Sequence, residues 1–150
     1  MKLKLADFIA TVFKIGTLPI APGTFGSLAA LGVWFWIYPY FTRPIFIILT
    51  IIILAVGVYT STIIERKTKE VDPSRIVIDE WVGQWIALWF VPQTLAFGFA
   101  AFILFRVFDI WKPGPIRKLD KLQNGWGVML DDVAAGLLAG LILFGYKMYA

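Results

Sequence analysis

Asp79 and Glu80 stand side by side in IVIDEWVGQWIALWF, at the mouth of a long apolar run, with Gln84 one helical turn further on. A second acidic pair, Asp131 and Asp132, opens MLDDVAAGLLAG, and Asp109 lies in FRVFDIWKPGPIRKLD among Phe105, Val107, Phe108, Ile110 and Trp111. A charge at the centre of a bilayer costs roughly 2.5–3.5 kcal/mol even on lenient insertion scales, so acids in such company need a use. Carboxylates are hard oxygen ligands for Mg²⁺, usually one or two per ion, with water and phosphate completing the shell. Arg106, Lys112 and Arg117 are close in sequence to Asp109 and can neutralise phosphate oxygens. The stretch PIAPGTFGS leads into a helix expected to begin near Thr24. Free amides of Gly23 to Gly26, with the Thr24 and Ser27 hydroxyls, are suited to an anion.

The chain has no cysteine and no histidine, which excludes thiolate nucleophiles, Ser-His-Asp triads, phosphohistidine chemistry and Cys- or His-bound zinc. What remains is metal-assisted attack of water on a phosphate ester, with a covalent aspartyl-phosphate route as the alternative. Each motif also has a plainer explanation. First-turn acids are favoured by the helix dipole, and small residues at the spacing of Gly136 and Gly140 let helices approach. Neither explanation requires adjacent carboxylates on two different helices, nor Gln84 inside an apolar run.

These residues must be positioned by membrane-type elements. Of 150 residues, 59% are hydrophobic and only 16% charged, far from the composition of a soluble domain. A single integral-membrane domain, 1–150, is expected, all-α and built as a polytopic helical bundle. MKLKLADFIATVFKIG reads as a short helix lying in the membrane interface rather than a span or a signal peptide. Residues 25–41 form an aromatic-rich run just long enough to cross, 45–64 are the clearest transmembrane helix, and a final apolar helix is expected from Val133 to about Phe144.

Charges fall into three blocks, 2–14, 65–80 and 106–132, and only Arg43 and Lys147 lie outside them. The positive-inside tendency puts all three blocks on the cytoplasmic face. Residues 81–105 must then begin and end on that face. Split at Pro92-Gln93 they give halves of about 12 residues, ~18 Å each and short of the ~30 Å hydrocarbon core. A short or re-entrant hairpin is the expected form, with a single tilted helix as its rival.

Taken together, GTLPIAPGTFGSLAA, IDEWVGQWIAL, FRVFDIWKPGPIRKLD and GWGVMLDDVAAG resemble the bacterial phosphatidylglycerophosphatase A family, in the family's order and from about Gly16 to Gly140. One departure is Lys14, where relatives often carry a glycine. The resemblance implies a Mg²⁺-dependent inner-membrane phosphatase that converts phosphatidylglycerol phosphate to phosphatidylglycerol. It places function on Asp79, Glu80, Gln84, Asp109, Lys112, Asp131 and Asp132, and adds Gly23, Thr24 and Ser27. On this reading Asp79, Glu80 and Asp131 or Asp132 hold one or two Mg²⁺ ions, and Asp109 completes the shell or activates water. Lys112, Arg106 and Arg117 bind the phosphate. Membrane lipids and the phospholipid substrate are the expected partners, a homo-oligomer is open, and no nucleic acid is expected. A phosphatase of another lipid phosphate and a small Mg²⁺ or phosphate transporter are the rivals.

Overall fold

The computed structural model describes residues 1–149. Among them are seven α-helices and no strand: α1 Leu3–Ala10, α2 Pro22–Ile37, α3 Arg43–Thr68, α4 Ile78–Ala87, α5 Leu95–Trp111, α6 Pro115–Leu119 and α7 Gly125–Tyr149. The all-helical architecture is as expected. Two helices, α3 and α7, are long and apolar enough to cross a membrane. α2 runs on into a 3₁₀ turn, Tyr38–Tyr40, so helical backbone covers Pro22 to Tyr40, ~30 Å and about the thickness of the hydrocarbon.

The single tilted helix over 81–105 is excluded, because the helical path breaks between Ala87 and Leu95. The hairpin arms are unequal. α4 has 10 residues and α5 has 17, ~15 and ~25 Å, so the second arm runs on through Arg106 and Asp109 to Trp111. The first arm ends at Ala87 in a tightened turn, the Leu88 and Trp89 amides donating to the Trp85 and Ile86 carbonyls, and Thr94 caps the second by accepting from the Phe97 amide. Gln93 pins the turn by donating to the Phe35 carbonyl at 2.9 Å, near the end of α2. The hairpin therefore reaches as deep as α2 and returns.

Two helix starts differ from expectation. α2 begins at Pro22, whose fixed φ suits a first helical position, after Ala21 in the left-handed region at φ 45°. Thr24 is therefore inside the first turn and its amide donates to the Ala21 carbonyl, so it does not cap. α7 begins at Gly125, eight residues before Val133, and places Asp131 and Asp132 in its second turn. Its first glycines discouraged a helical reading on propensity. Packing requires them: a Cβ on Gly125 would lie 2.3 Å from the Val58 carbonyl oxygen, and one on Gly127 2.2 Å from that of Leu122.

The short arm α4 sits at the centre, against α7, α2 and α3. Trp85 ties it to α2 by donating to the Ala30 carbonyl at 2.9 Å, within a buried layer of Trp34, Phe46, Phe105 and Leu88. Gly136 meets Gly83 where α7 crosses α4, and Gly140 faces Ile86 and Ala87. The small-residue stripe thus serves a helix of the same chain. A Cβ on Gly136 would stand 2.3 Å from the Gly83 carbonyl oxygen, a contact with backbone that no rotamer can relieve. Gly136→Ala should cost about 1–3 kcal/mol by overpacking, read as a lowered unfolding midpoint in detergent. Gly145→Ala, whose Cβ would meet nothing within 4 Å, is the comparison expected to show no loss.

α1 packs its Ala6 and Ala10 face on α3 and leaves Leu5 and Phe8 exposed, the disposition expected of a helix lying in an interface. Beside it, Arg75 holds the segment between α3 and α4 through Asp7 at 2.9 Å and Glu70 at 2.7 Å. That segment carries Asp72, fixed at φ 48° with its amide donating to Glu65.

Candidate active site

The ends of α2, α4 and α5, the second turn of α7 and the 72–76 segment close around one cavity of about 380 Å³. Six carboxylates line it, from Asp72, Asp79, Glu80, Asp109, Asp131 and Asp132, against two cations, Arg106 and Lys112. Asp79 and Glu80 come from the first turn of α4, where the helix dipole favours them. Asp131 and Asp132 come from α7 and are almost wholly buried, 4% and 2% exposed.

Two sets of carboxylate oxygens are close enough to share an ion. One from each of Asp79, Glu80 and Asp132 lie within 4.8 Å of one another, and so do one from each of Asp109, Asp131 and Asp132. Asp132 belongs to both. Asp79 Oδ1, Glu80 Oε2, Asp131 Oδ1 and Asp132 Oδ2 are buried without a hydrogen-bond partner among the described residues. Orphaned anionic oxygens carry the full cost of their desolvation unless a cation answers them. The oxygen-only donor set fits a hard divalent cation such as Mg²⁺.

The two basic residues are themselves held. Arg106 donates to Asp109 one turn along α5 and lies 3.8 Å from Glu80 Oε1. Lys112 ends α5 in the left-handed region, φ 47°, which swings its side chain back over the cavity. Its Nζ donates to Asp131 Oδ2 at 2.6 Å and to Asp120 Oδ1 at 2.7 Å. Burial alone would lower Lys112, but the hydrogen bonds to Asp120 and Asp131 outweigh it and hold the ammonium above its usual range. Burial, with adjacent Glu80 adding to it, pushes the Asp79 carboxyl well up. Burial also raises the carboxyl of Asp72, against the pull of Lys112 and with help from Asp120 and Asp109.

Gly23 is part of this geometry because of what it lacks. A Cβ there would lie 2.0 Å from Glu80 Oε1 and 3.3 Å from Arg106 Nη1. Thr24 lines the cavity, whereas Ser27 is buried and donates its hydroxyl to the Gly23 carbonyl at 2.9 Å. Gln84 is fully buried one turn below Glu80, and neither amide atom has a partner among the described residues. Arg117 does not line the cavity. It faces a separate recess with Trp111, Pro113, Gly114, Lys118 and Lys121.

The chain matches the family described as Phosphatidylglycerophosphatase A over residues 8–147. It is 34% identical to the Phosphatidylglycerophosphatase A of Escherichia coli, over 95% of this chain and 86% of that one. The protein of that name from Haemophilus influenzae is 38% identical, over 94% and 88%. A Bacteroides thetaiotaomicron protein, provisionally named a phosphatidylinositol-3-phosphatase, is 40% identical over 93% and 91%. The chain belongs to the phosphatidylglycerophosphatase A family. No solved structure matches it.

As a member of a phosphatase family, the enzyme has a cavity that brings together all five acids singled out in its sequence, with Arg106, Lys112, Gly23 and Thr24. Two acids around the site of this phosphatase escaped the sequence reading. Asp72 closes the charged run ERKTKEVD, where an ordinary solvated surface explains every residue. Asp120, which holds Lys112, stands inside a basic stretch between Lys118 and Lys121 and is as easily explained. Asp72-Pro73 shortly before an acidic helix start was the one local signal available.

Proposed function

We propose that this phosphatase removes the terminal phosphomonoester of phosphatidylglycerol phosphate, using Mg²⁺, at the cytoplasmic face of a bacterial inner membrane. That reaction supplies phosphatidylglycerol for phospholipid and cardiolipin synthesis. The observation that carries the reading is the pair of carboxylate sets sharing Asp132, with Arg106 and Lys112 lining the same cavity. Asp79, Glu80, Asp131 and Asp132 would hold the ion or ions, with Asp109 in reach of the second set. Bound there, Mg²⁺ supplies neutralisation of phosphate charge and a more acidic water.

The remaining chemistry belongs to the chain. Arg106 and Lys112 take the phosphate oxygens, and the bare backbone at Gly23 leaves room for the Glu80 carboxylate beside Arg106. Asp109, oriented by its hydrogen bond to Arg106, accepts a proton from the attacking water. The water oxygen bonds to phosphorus as the bond from phosphorus to the glycerol oxygen breaks. The glycerol oxygen leaves as an alcohol, taking up one proton, and inorganic phosphate is released. Below the acids the interior is apolar, with Trp85, Leu88, Ala135, Ala139 and Leu143 buried together. That closed floor favours a site for chemistry over a path for ions.

Phosphate release by the purified enzyme from phosphatidylglycerol phosphate, phosphatidylinositol 3-phosphate and phosphatidic acid tests the reading. The expected order puts phosphatidylglycerol phosphate first. Preference for the inositol lipid would support a second reading, which the name of the Bacteroides relative favours. Chelation with EDTA should stop turnover and added Mg²⁺ restore it. Full activity in EDTA would remove the metal from the scheme.

A further inference from the structure

The recess that holds Arg117 is about 430 Å³ and is lined by Trp111, Pro113, Gly114, Arg117, Lys118 and Lys121. It contains three cations and no acid. None of the three makes an ion pair among the described residues, as is true of most exposed cations of this chain; what sets these apart is that they line one recess together beside Trp111. An unpaired cluster of this kind offers its charge to a ligand from outside the chain.

The recess adjoins the acidic cavity through α5. Ile110 and Lys112 line the cavity, while Trp111 and Pro113 line the recess. Its floor is fixed to the site. Ile116 of α6 is buried, and Asp120 directly after α6 bonds the same Lys112 that bonds Asp131. Trp111 and Ile110 are large, exposed and at the end of a helix, the disposition of an aromatic anchor at headgroup level.

We infer that this recess binds the phosphodiester of the substrate lipid while the acidic cavity holds its phosphomonoester. The inference rests on the proposed reaction, whose substrate carries both phosphates, one on each side of a glycerol. The division of charge matches that ligand. The monoester is the group that reacts and goes where a divalent cation fits, and the diester, with its single negative charge, goes to arginine and lysine alone. The recess then acts as a measure of headgroup length. Lipids with one phosphate lose either the recess contact or the reaction.

The test is the double variant Arg117→Gln/Lys118→Gln beside Lys2→Gln/Lys4→Gln, which removes the same charge from exposed positions at the start of α1. Steady-state phosphate release from phosphatidylglycerol phosphate in mixed micelles gives KM and kcat. Retention of phosphatidylglycerol against diacylglycerol, which lacks the phosphodiester, is read by native mass spectrometry. The expected result for the recess variant is a rise in KM of about 10- to 30-fold with kcat within about threefold, from the effect of two lipid-facing cations. Its preference for phosphatidylglycerol should disappear, and the α1 variant should show neither change. Equal effects in the two variants, or a fall in kcat with KM unmoved, would overturn the inference. If the wild-type protein releases no phosphate yet shows an Arg117-dependent preference for phosphatidylglycerol, the reaction is wrong and the anionic-lipid recess stands.

Discussion

Asp132→Asn should lower kcat for phosphate release by about 10³-fold or more, the largest loss from any single substitution in this chain. Removal of a group that merely orients a metal ligand typically costs 10- to 100-fold, and Asp132 is placed to touch the ion itself in both carboxylate sets. Asp132 is 2% exposed, and a water taking the place of its lost oxygen would bring no negative charge. The substitution is nearly isosteric and relieves repulsion from Asp79, Glu80, Asp109 and Asp131, which share the cavity. Two results should therefore move in opposite directions. Activity and Mn²⁺ binding, followed by electron paramagnetic resonance, should collapse, while the unfolding midpoint in EDTA should rise above that of the wild type. A variant that keeps normal Mn²⁺ affinity would remove Asp132 from the metal site.

Gly23→Ala should lower activity by about 10²-fold with little change in stability, the reverse of Gly136→Ala. The added carbon would stand 2.0 Å from Glu80 Oε1 and 2.8 Å from Glu80 Cδ. Those atoms end a side chain that can swing away, so the fold escapes the clash by surrendering the carboxylate. A misplacement of about 1 Å in a reacting arrangement is worth about 10² in rate. At Gly136 the obstructing atoms are backbone of α4, and helix packing takes the loss instead. Measured kcat and unfolding midpoints for both variants separate the two cases. Near-normal kcat in Gly23→Ala would show that Glu80 is dispensable.

The acids of this site were legible because each violates its surroundings. Asp79 beside Trp81 and Val82, or Asp109 between Phe108 and Ile110, has no reason to be there as surface. The break within 81–105 was legible for a similar reason, since charge on both flanks and Pro92 between them leave few other paths, although the second arm runs on to Trp111. What could not be read is what depends on contacts across the bundle. Gly125 and Gly127 look like helix breakers until Val58 and Leu122 are seen against them. Lys112 and Arg117 belong to one basic stretch, yet the left-handed turns at Lys112 and Gly114 send them into different cavities. Asp72 is indistinguishable from its charged neighbours until the loop is folded down by Arg75.

Asp79 and Glu80 are made just past the midpoint of the chain, and Asp131 and Asp132 arrive some fifty residues later on the last helix. A growing polypeptide therefore carries half a constellation through about a third of its synthesis. Until α7 slides into place against α4, no pair of oxygen sets exists, and a nascent or truncated copy is chemically silent toward the lipids around it. On the proposed reaction, hydrolysis would begin only when the bundle is complete.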